Sequence, residues 1–517
     1  MSSEKTVSDQ SYLGEPLLRL LTLGLLFVAA LCLRLYGITQ PPMEFFQVRQ
    51  YHGALLARGF YEWLLTGNLR TIPPDGIIEP PILELIASCA YLIFGGEHLW
   101  IPRLLSALFW MVGGVFLYLI AKKIVSPNAA VFSVAFYLFV PYGVLASRAF
   151  MPDPLMIMLL VISIFTILRY YEQPSTRRLI VAAVASSLAI FVKPGICFFQ
   201  VFGAFVALAV CRQGIRRSLA SRHLLMFMTL SLLPTVLYYL YGTILAKFLH
   251  GQASRKIVPQ LILQPSFWDG WLLALWLVVG YVALVGALLG VVLLRSGFPR
   301  ALMIGLWSGY FLFGLSFTFH IHTHSYYSLQ LIPVVALSLG SVSAPVMEYL
   351  GQVGLRSYGG VIVLGLSVSA LIFGVAEQRY WIDQIANQKR FAPVYESYVA
   401  TFQEIGEVVD HSPRTLVLFQ PLPYVDSGYA LMYHGRLLGQ VWPSPVQAVQ
   451  RPGSGREIST RERFDKYSKK YSPEYFIISK RSLRTGAARD LRRFLTENFS
   501  TVAQDPTYVV FDLREET

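Results

Sequence analysis

The chain has 517 residues, 55% of them hydrophobic and only 14% charged, with a mean hydropathy of +0.52. Soluble domains carry about 25% charge, so these figures exclude a water-soluble enzyme and describe a polytopic helical membrane protein solvated mostly by lipid. The net charge of +13 does not point to nucleic acid, because many of the cations sit in short connections between apolar runs, where the positive-inside bias accounts for them.

Apolar runs of spanning character fall at about 17–36, 101–121, 129–147, 154–171, 179–192, 194–211, 223–245, 271–294, 301–319, 326–343 and 359–376. The first continues to Arg34 and Tyr36 without a small-residue cleavage site, so it is expected to remain as a signal anchor. A shorter run, 81–95, contains Glu84 and has the length and polarity of an interfacial segment. With that segment in the interface and the N-terminus in the cytoplasm, Lys122-Lys123, Arg177-Arg178, Arg212, Arg216-Arg217, Arg222, Arg295, Arg300 and Arg356 all fall inside. The result is eleven spans and a long first external loop, 37–100, that holds juxtamembrane helices. The same count places 37–100, 148–153, 246–270, 320–325 and everything after about 377 on the outer face of the cell (plasma) membrane.

Past Gln378 the composition turns polar. Short β-rich pieces at Thr415-Leu-Val-Leu-Phe, Tyr475-Phe-Ile-Ile-Ser and Tyr508-Val-Val-Phe-Asp-Leu alternate with helical pattern at 394–409 and 487–497. This predicts an all-α membrane domain over 1–376 followed by a soluble α/β domain over 377–517. Gly/Pro-rich 443–455 is expected to be a mobile loop. Cys32, Cys89, Cys197 and Cys211 lie in or beside apolar runs without metal-ligand spacing, which indicates neither a disulfide framework nor a zinc site. No repeat, P-loop, dinucleotide fingerprint or zinc-protease motif is present.

The residues with chemistry gather in the loops of the outer face. After the Pro41-Pro42 break a helix is expected, with Glu44 near its N-terminal end, Gln47 and Tyr51 on its face, and Arg49 and His52 on an adjacent one. A carboxylate beside cationic donors suits acid–base work on a phosphorylated substrate, whereas an amphipathic juxtamembrane helix would carry the same charges simply to face water. In Ser147-Arg148-Ala-Phe-Met-Pro-Asp153-Pro154, Asp153 reads as a helix N-cap. It is also a candidate, with Arg148, for holding a substrate hydroxyl or a divalent cation such as Mg or Mn. Lys193, between two apolar runs, either snorkels or binds a lipid phosphate as a point charge. His320, His322 and His324 alternate ahead of Tyr326-Tyr327. An extended backbone would bring them to one metal, but no fourth ligand is near in sequence, and interfacial histidines with aromatic-belt tyrosines account for the pattern. No metal ligand is assigned.

In their order these features resemble the GT-C glycosyltransferases, specifically the family 39-like and aminoarabinose-transferase-like branch that uses polyprenyl-phosphate sugars. The resemblance covers about 17–345. It rests on Glu44 with Ala57-Arg58, Glu79-Pro80-Pro81, Arg103-Leu-Leu-Ser106-Ala107, Pro141, Ser147-Arg148, Asp153-Pro154, Val192-Lys193-Pro194-Gly195, and Tyr326-Tyr327 with Pro333. It implies a membrane hexosyl- or pentosyltransferase that passes a sugar from an isoprenoid-phosphate carrier to an extracytoplasmic acceptor. Glu44 would be the base and Asp153 would orient a substrate. Arg49, Arg58, Lys193, Tyr326 and Tyr327 would hold the donor phosphate, and Glu79, Arg148 and His324 would help orient substrate. The chain departs from the family pattern in having Glu44 where Asp is frequent, Glu79 where a lysine precedes the proline pair, and Lys-Pro-Gly for Lys-Gly-Pro. Two rival readings are a transporter or flippase of lipid-linked saccharide, which would bury functional charges mid-span, and a GT-C subunit that has lost activity.

Overall fold

Each of the eleven apolar runs is helical in a computed structural model of the chain, which describes residues 16–72, 77, 79–246, 249, 257–354, 357–420, 427–443, 459–482 and 486–516. Arg356 and the loop residues 444–455 lie outside the described residues. The chain forms two compact units. One comprises Met1–Ile38, Ile78–Leu83 and Arg103–Ala386, and the other Thr39–Ile77, Glu84–Pro102 and Asn387–Thr517.

Helix α1 (Pro16–Leu35) opens the first unit. The first loop then carries α2 (Gln47–Thr66) and α3 (Ile82–Phe94), whose residues fall mostly in the second unit. The first unit continues through α4 (Trp100–Ile124), α5 (Pro127–Phe139), α6 (Pro141–Ala146), α7 (Asp153–Glu172), α8 (Thr176–Val192), α9 (Pro194–Gln213), α10 (Ile215–Leu219) and α11 (Arg222–Leu240). It closes with α12 (Pro265–Val279), α13 (Tyr281–Leu293), α14 (Phe298–Ser316), α15 (Thr318–Thr323), α16 (Leu331–Val353), α17 (Tyr358–Glu377) and α18 (Arg379–Ala386).

Among the described residues, seven helices are long and apolar enough to cross a membrane: α1, α4, α7, α9, α11 with its π-helical continuation to Leu245, α16 and α17. The pair α12 and α13, bent by 88°, makes an eighth if counted as one span. The remaining expected spans are shorter or less apolar. Helix α5 stops after 13 residues because Val140 precedes Pro141 and takes an extended ψ of 122°. Helix α8 has 17 residues, and α14 carries Arg300 in its first turn. The interfacial segment expected at 81–95 is α3, an apolar helix of 13 residues.

Local chemistry explains the helix ends. Ser126 and Ser175 accept the N–H groups of Ala129 and Arg178, satisfying donors that α5 and α8 leave open. The bend between α12 and α13 sits at Gly280, whose φ of 79° favours glycine. Glu377 Oε1 and Oε2 accept the N–H groups of Tyr281 and Val282, both at 3.1 Å, placing a carboxylate at the start of α13. Gln378 Nε2 donates to Trp276 O at 3.0 Å and Trp381 Nε1 to Leu277 O at 2.9 Å, which satisfies carbonyls at the end of α12.

Arg34, fully buried in the last turn of α1, has its guanidinium satisfied by protein oxygens. Nε donates to Ser147 Oγ at 2.7 Å, Nη1 to Ala30 O at 3.0 Å and Nη2 to Leu138 O at 2.9 Å. Helices α9 and α14 touch backbone to backbone through glycines. A Cβ at Gly203 would meet Gly305 O, one at Gly305 would meet Gly203 O, and one at Gly309 would meet Phe199 O. Gly305 and Gly309 form the small-xxx-small spacing that lets membrane helices approach closely.

The second unit holds α19 (Gln388–Val408), β1 (Thr415–Leu418), α20 (Gly428–His434), β2 (Gly439–Val441), α21 (Thr460–Tyr471), β3 (Tyr475–Ser479), α22 (Gly486–Asn498), β4 (Phe499–Gln504) and β5 (Tyr508–Glu516). The strand order is β2-β1-β3-β5-β4, parallel at β1–β2 and β1–β3 and antiparallel at β3–β5 and β4–β5. Strands β1 and β3 are buried at every position, as expected for central strands covered on both faces. One face packs Leu416, Leu418, Phe476, Ile478 and Phe511 against Phe464, Leu491 and Leu495 from α21 and α22.

Candidate active site

In the first unit, prolines set the backbone around the expected ionisable residues. Pro194 bars Lys193 from helical geometry, so α8 ends, Lys193 takes φ −149° and ψ 84°, and α9 restarts with proline in its first turn. Asp153, ahead of Pro154, is the first residue of α7. It is not the N-cap, a place taken by Pro152 without a side-chain cap. Its carboxylate is used elsewhere: Lys193 Nζ donates to Asp153 Oδ1 at 2.6 Å, and the two side chains are 2% and 1% exposed.

Lys193 Nζ also lies 5.0 Å from the ring centroid of Tyr326 and 5.1 Å from that of Tyr327. Aromatic faces add attraction for a desolvated cation. A buried pair is held against a large desolvation cost, so its geometry is tightly coupled to the elements that supply it. An ammonium has three donors, so a carboxylate partner does not by itself exhaust it. Tyr142 OH and Ser325 Oγ share a hydrogen bond of 2.9 Å beside the same tyrosine turn.

The histidines lie on a different backbone from the extended one that metal binding would need. Residues 318–323 are helical, His322 Nδ1 is 2.7 Å from Thr318 O, and His320 and His324 stack at 5.6 Å, with His324 5.6 Å from the Tyr326 ring. Among the described residues no three His, Cys, Asp or Glu side chains come together as a metal-ligand set.

Arg148 is fully buried and donates through Nη1 to Tyr36 O at 2.7 Å. Arg103, the arginine of the Arg-Leu-Leu-Ser-Ala segment, donates to Ile38 O at 2.7 Å and to Arg148 O at 3.3 Å. Both arginines therefore tie down the chain leaving α1. In sequence, Arg103 is marked only by its place in the Arg-Leu-Leu-Ser-Ala segment, and Tyr142 by nothing.

Of the remaining expected residues, Glu79 belongs to the first unit and Glu44, Arg49 and Arg58 to the second. Glu44 is half-buried in the turn before α2. The helix begins at Gln47, later than the proline pair suggested, because Phe46 takes a left-handed φ of 41° and Gln50 reaches back to the turn. Gln50 Nε2 donates to Phe45 O at 2.5 Å and Pro42 O at 3.3 Å. Arg49 is half-buried in the first turn of α2, and Glu79 is half-buried in the turn before α3. Arg58 Nε bonds Glu97 Oε1 and Oε2 at 3.1 and 3.0 Å, and its guanidinium lies 4.2 Å from the Tyr433 ring centroid. Burial works to lower the Arg58 pKa, but the charge and hydrogen bonds of Glu97 outweigh it and hold it above its ordinary value.

Tyr433 and His434 of α20 are engaged within the second unit. Tyr51 OH is 2.8 Å from His434 Nε2, and the ring of Tyr51 lies 5.6 Å from that of Tyr433. Burial, and secondarily the charge of Arg58, push His434 from the usual value near 6.5 down to about 4. Folded His434 thus takes its proton at lower pH than unfolded His434. Stability is present above about pH 6.5 and lost as pH falls through about 4, with a full effect of about 3 kcal/mol. Thermal unfolding of the whole chain from pH 7 to pH 4 should show this acid limb, and His434→Gln should flatten it.

Residues 78–239 match the family model described as dolichyl-phosphate-mannose-protein mannosyltransferase. No curated protein matches the chain in sequence. Among solved structures, ArnT from Cupriavidus metallidurans in the apo state is similar over 95% of this chain and 98% of its own, with TM-score 0.56 at 17% identity. The same protein bound to undecaprenyl phosphate matches over 95% and 97%, with TM-score 0.53 at 15% identity. The Archaeoglobus fulgidus oligosaccharyltransferase, tethered with an acceptor peptide containing the NVT sequon, covers 95% of this chain and 73% of its own, with TM-score 0.55 at 13% identity. From α1 through the mixed sheet after α19, the chain has the fold of the GT-C membrane glycosyltransferases.

Proposed function

We propose that the protein transfers a hexosyl or pentosyl group from a polyprenyl-phosphate donor to an acceptor outside the cytoplasmic membrane. The observation that carries the reading is the buried Lys193–Asp153 pair under Tyr326 and Tyr327, in a fold it shares with a protein solved with undecaprenyl phosphate. An acceptor hydroxyl attacks the anomeric carbon, the bond from that carbon to the phosphate oxygen breaks, and the phosphate leaves with the electron pair. Glu44 takes the proton from the attacking oxygen. Developing charge on the phosphate calls for fixed cations and donors, the role proposed for Lys193, Arg49, Tyr326 and Tyr327. Arg58 joins them only by sharing its Glu97 partner. Asp153 sets the orientation of Lys193 and of substrate, with Glu79, Arg148 and His324 as further orienting groups. In this reading the site faces outward, and 1–376 supplies the membrane half of the enzyme.

The test is transfer from isoprenoid-phosphate sugars in proteoliposomes. Glu44→Gln is expected to lower kcat by about 10²- to 10⁴-fold, and Asp153→Asn to lower it as well; unchanged transfer by Glu44→Gln would refute the base. Cysteine labelling from either side of the membrane at positions 44 and 153 checks the sidedness, and opposite faces would end the proposal. Donor movement across the bilayer without transfer would identify a flippase, and donor binding without turnover an inactive GT-C subunit.

A further inference from the structure

We propose that α20, a short helix far along the chain, is a positioning element for the first-loop segment that carries Glu44, so that sugar transfer depends on α20 residues that never touch substrate. The inference rests on the reading of Glu44 as base.

Four side-chain pairings run along α2 and join it to α20 and the residue before it. Gln47 Nε2 donates to Ser427 Oγ at 3.0 Å, and Tyr51 OH meets His434 Nε2 at 2.8 Å. His52 and Tyr429 pack edge to face at 5.3 Å, and Arg58 lies over Tyr433 at 4.2 Å. Gln47, Tyr51 and Arg58 follow helical spacing along one side of α2. Gln47, Tyr51, Ser427 and Tyr433 are all buried, so these are interior contacts and not a solvated charge pattern.

The two ends of this chain of contacts are also fixed. On one side, α20 is set against α19: a Cβ at Gly406 would strike Gly435 O, His411 Nδ1 is 2.8 Å from Gly435 O, and Phe402 stacks over His434 at 6.4 Å. On the other side, Gln50 reaches from α2 to the carbonyls of Pro42 and Phe45, which flank Glu44. Position thus passes from α19 to α20, to α2, and to the turn that holds the carboxylate. Displacing a catalytic group by about 1 Å costs on the order of 10²-fold in rate, so a linkage of this kind has a kinetic signature.

The experiment uses the full chain in proteoliposomes and compares Tyr51→Phe, His434→Leu, the double variant and His434→Gln. Each single variant is expected to lower kcat by about tenfold or more while leaving the donor KM within about twofold. The double variant should be no slower than His434→Leu, since both remove one linkage. His434→Gln, which keeps a polar partner for Tyr51, should restore most of kcat. Amide hydrogen exchange over residues 42–52 should quicken in His434→Leu and return to the wild-type rate in His434→Gln.

Unchanged kcat and unchanged exchange in the single variants would overturn the proposal, as would a loss of rate that only tracks lost folded protein in thermal unfolding. Glu44→Gln run in parallel separates the two ideas. If it abolishes transfer while the α20 variants do not alter kcat, the base stands and the linkage falls. If it has no effect, the base falls, and faster exchange over 42–52 still reports the linkage.

Discussion

Lys193→Met should cost the folded protein about 3–5 kcal/mol, the penalty for depriving a buried carboxylate of its cation. The substitution keeps the length and apolar bulk of the stem but removes the ammonium 2.6 Å from Asp153 Oδ1, where neither side chain is more than 2% exposed. It also removes the charge held over Tyr326 and Tyr327. Adding Asp153→Leu removes the stranded carboxylate, and apolar replacement of a whole buried pair is often neutral or stabilising. The double variant should therefore regain much of the lost stability in thermal unfolding while remaining unable to transfer sugar. A single variant as stable as wild type would mean that the pair is worth little to the fold, and a double variant that transfers sugar would remove Lys193 and Asp153 from the reaction.

Gly305→Val should be at least as damaging, through packing alone. Its Cβ would collide with the carbonyl of Gly203 and the Cβ of Ala207, and the reciprocal contact from Gly203 meets the carbonyl of Gly305. Backbone atoms cannot swing aside as a side chain can, so α9 and α14 must separate, at a cost of about 3 kcal/mol or more. Because α9 starts immediately after Lys193, the separation also disturbs the ion pair, and activity should fall further than the folded fraction. Gly365→Val is the control: a Cβ there meets nothing within 4 Å, and its melting temperature should stay near that of wild type. Similar losses from both variants would show that the close α9–α14 approach is not what sets the effect.

Much of this architecture was legible because the controlling signals are local. Apolar runs marked the helices, Val140-Pro141 and Lys193-Pro194 marked two of their breaks, and short pieces rich in β-branched, aromatic and leucine residues marked β1, β3 and β5. Strand β2 has three residues and β4 is exposed at most positions, so neither carries a periodic signal. Asp153 and Lys193 stand out in the sequence by residue type, but their pairing joins positions 40 apart. The same limit hid the second unit. Gln47 meets Ser427 across 380 residues and Tyr51 meets His434 across 383. No spacing rule reaches that far, so the first loop read as acid–base machinery or as a water-facing amphipathic helix, with no sign that it packs against α20. The late start of α2 was missed for a smaller reason: proline pairs announce a break, but a glutamine reaching backward decides where the break ends.

The residues just past α17 bear on how the molecule can be dissected. Glu377, Gln378 and Trp381 close both sides of the bend at Gly280, so an expression fragment ending at residue 376 would leave the amides of Tyr281 and Val282 and the carbonyls of Trp276 and Leu277 without these partners. A recombinant membrane half should extend through Ala386. The polar remainder, expressed separately, would lack residues 39–77 and 84–102 of its own unit, so its solubility would be a poor guide to how it behaves in the intact chain.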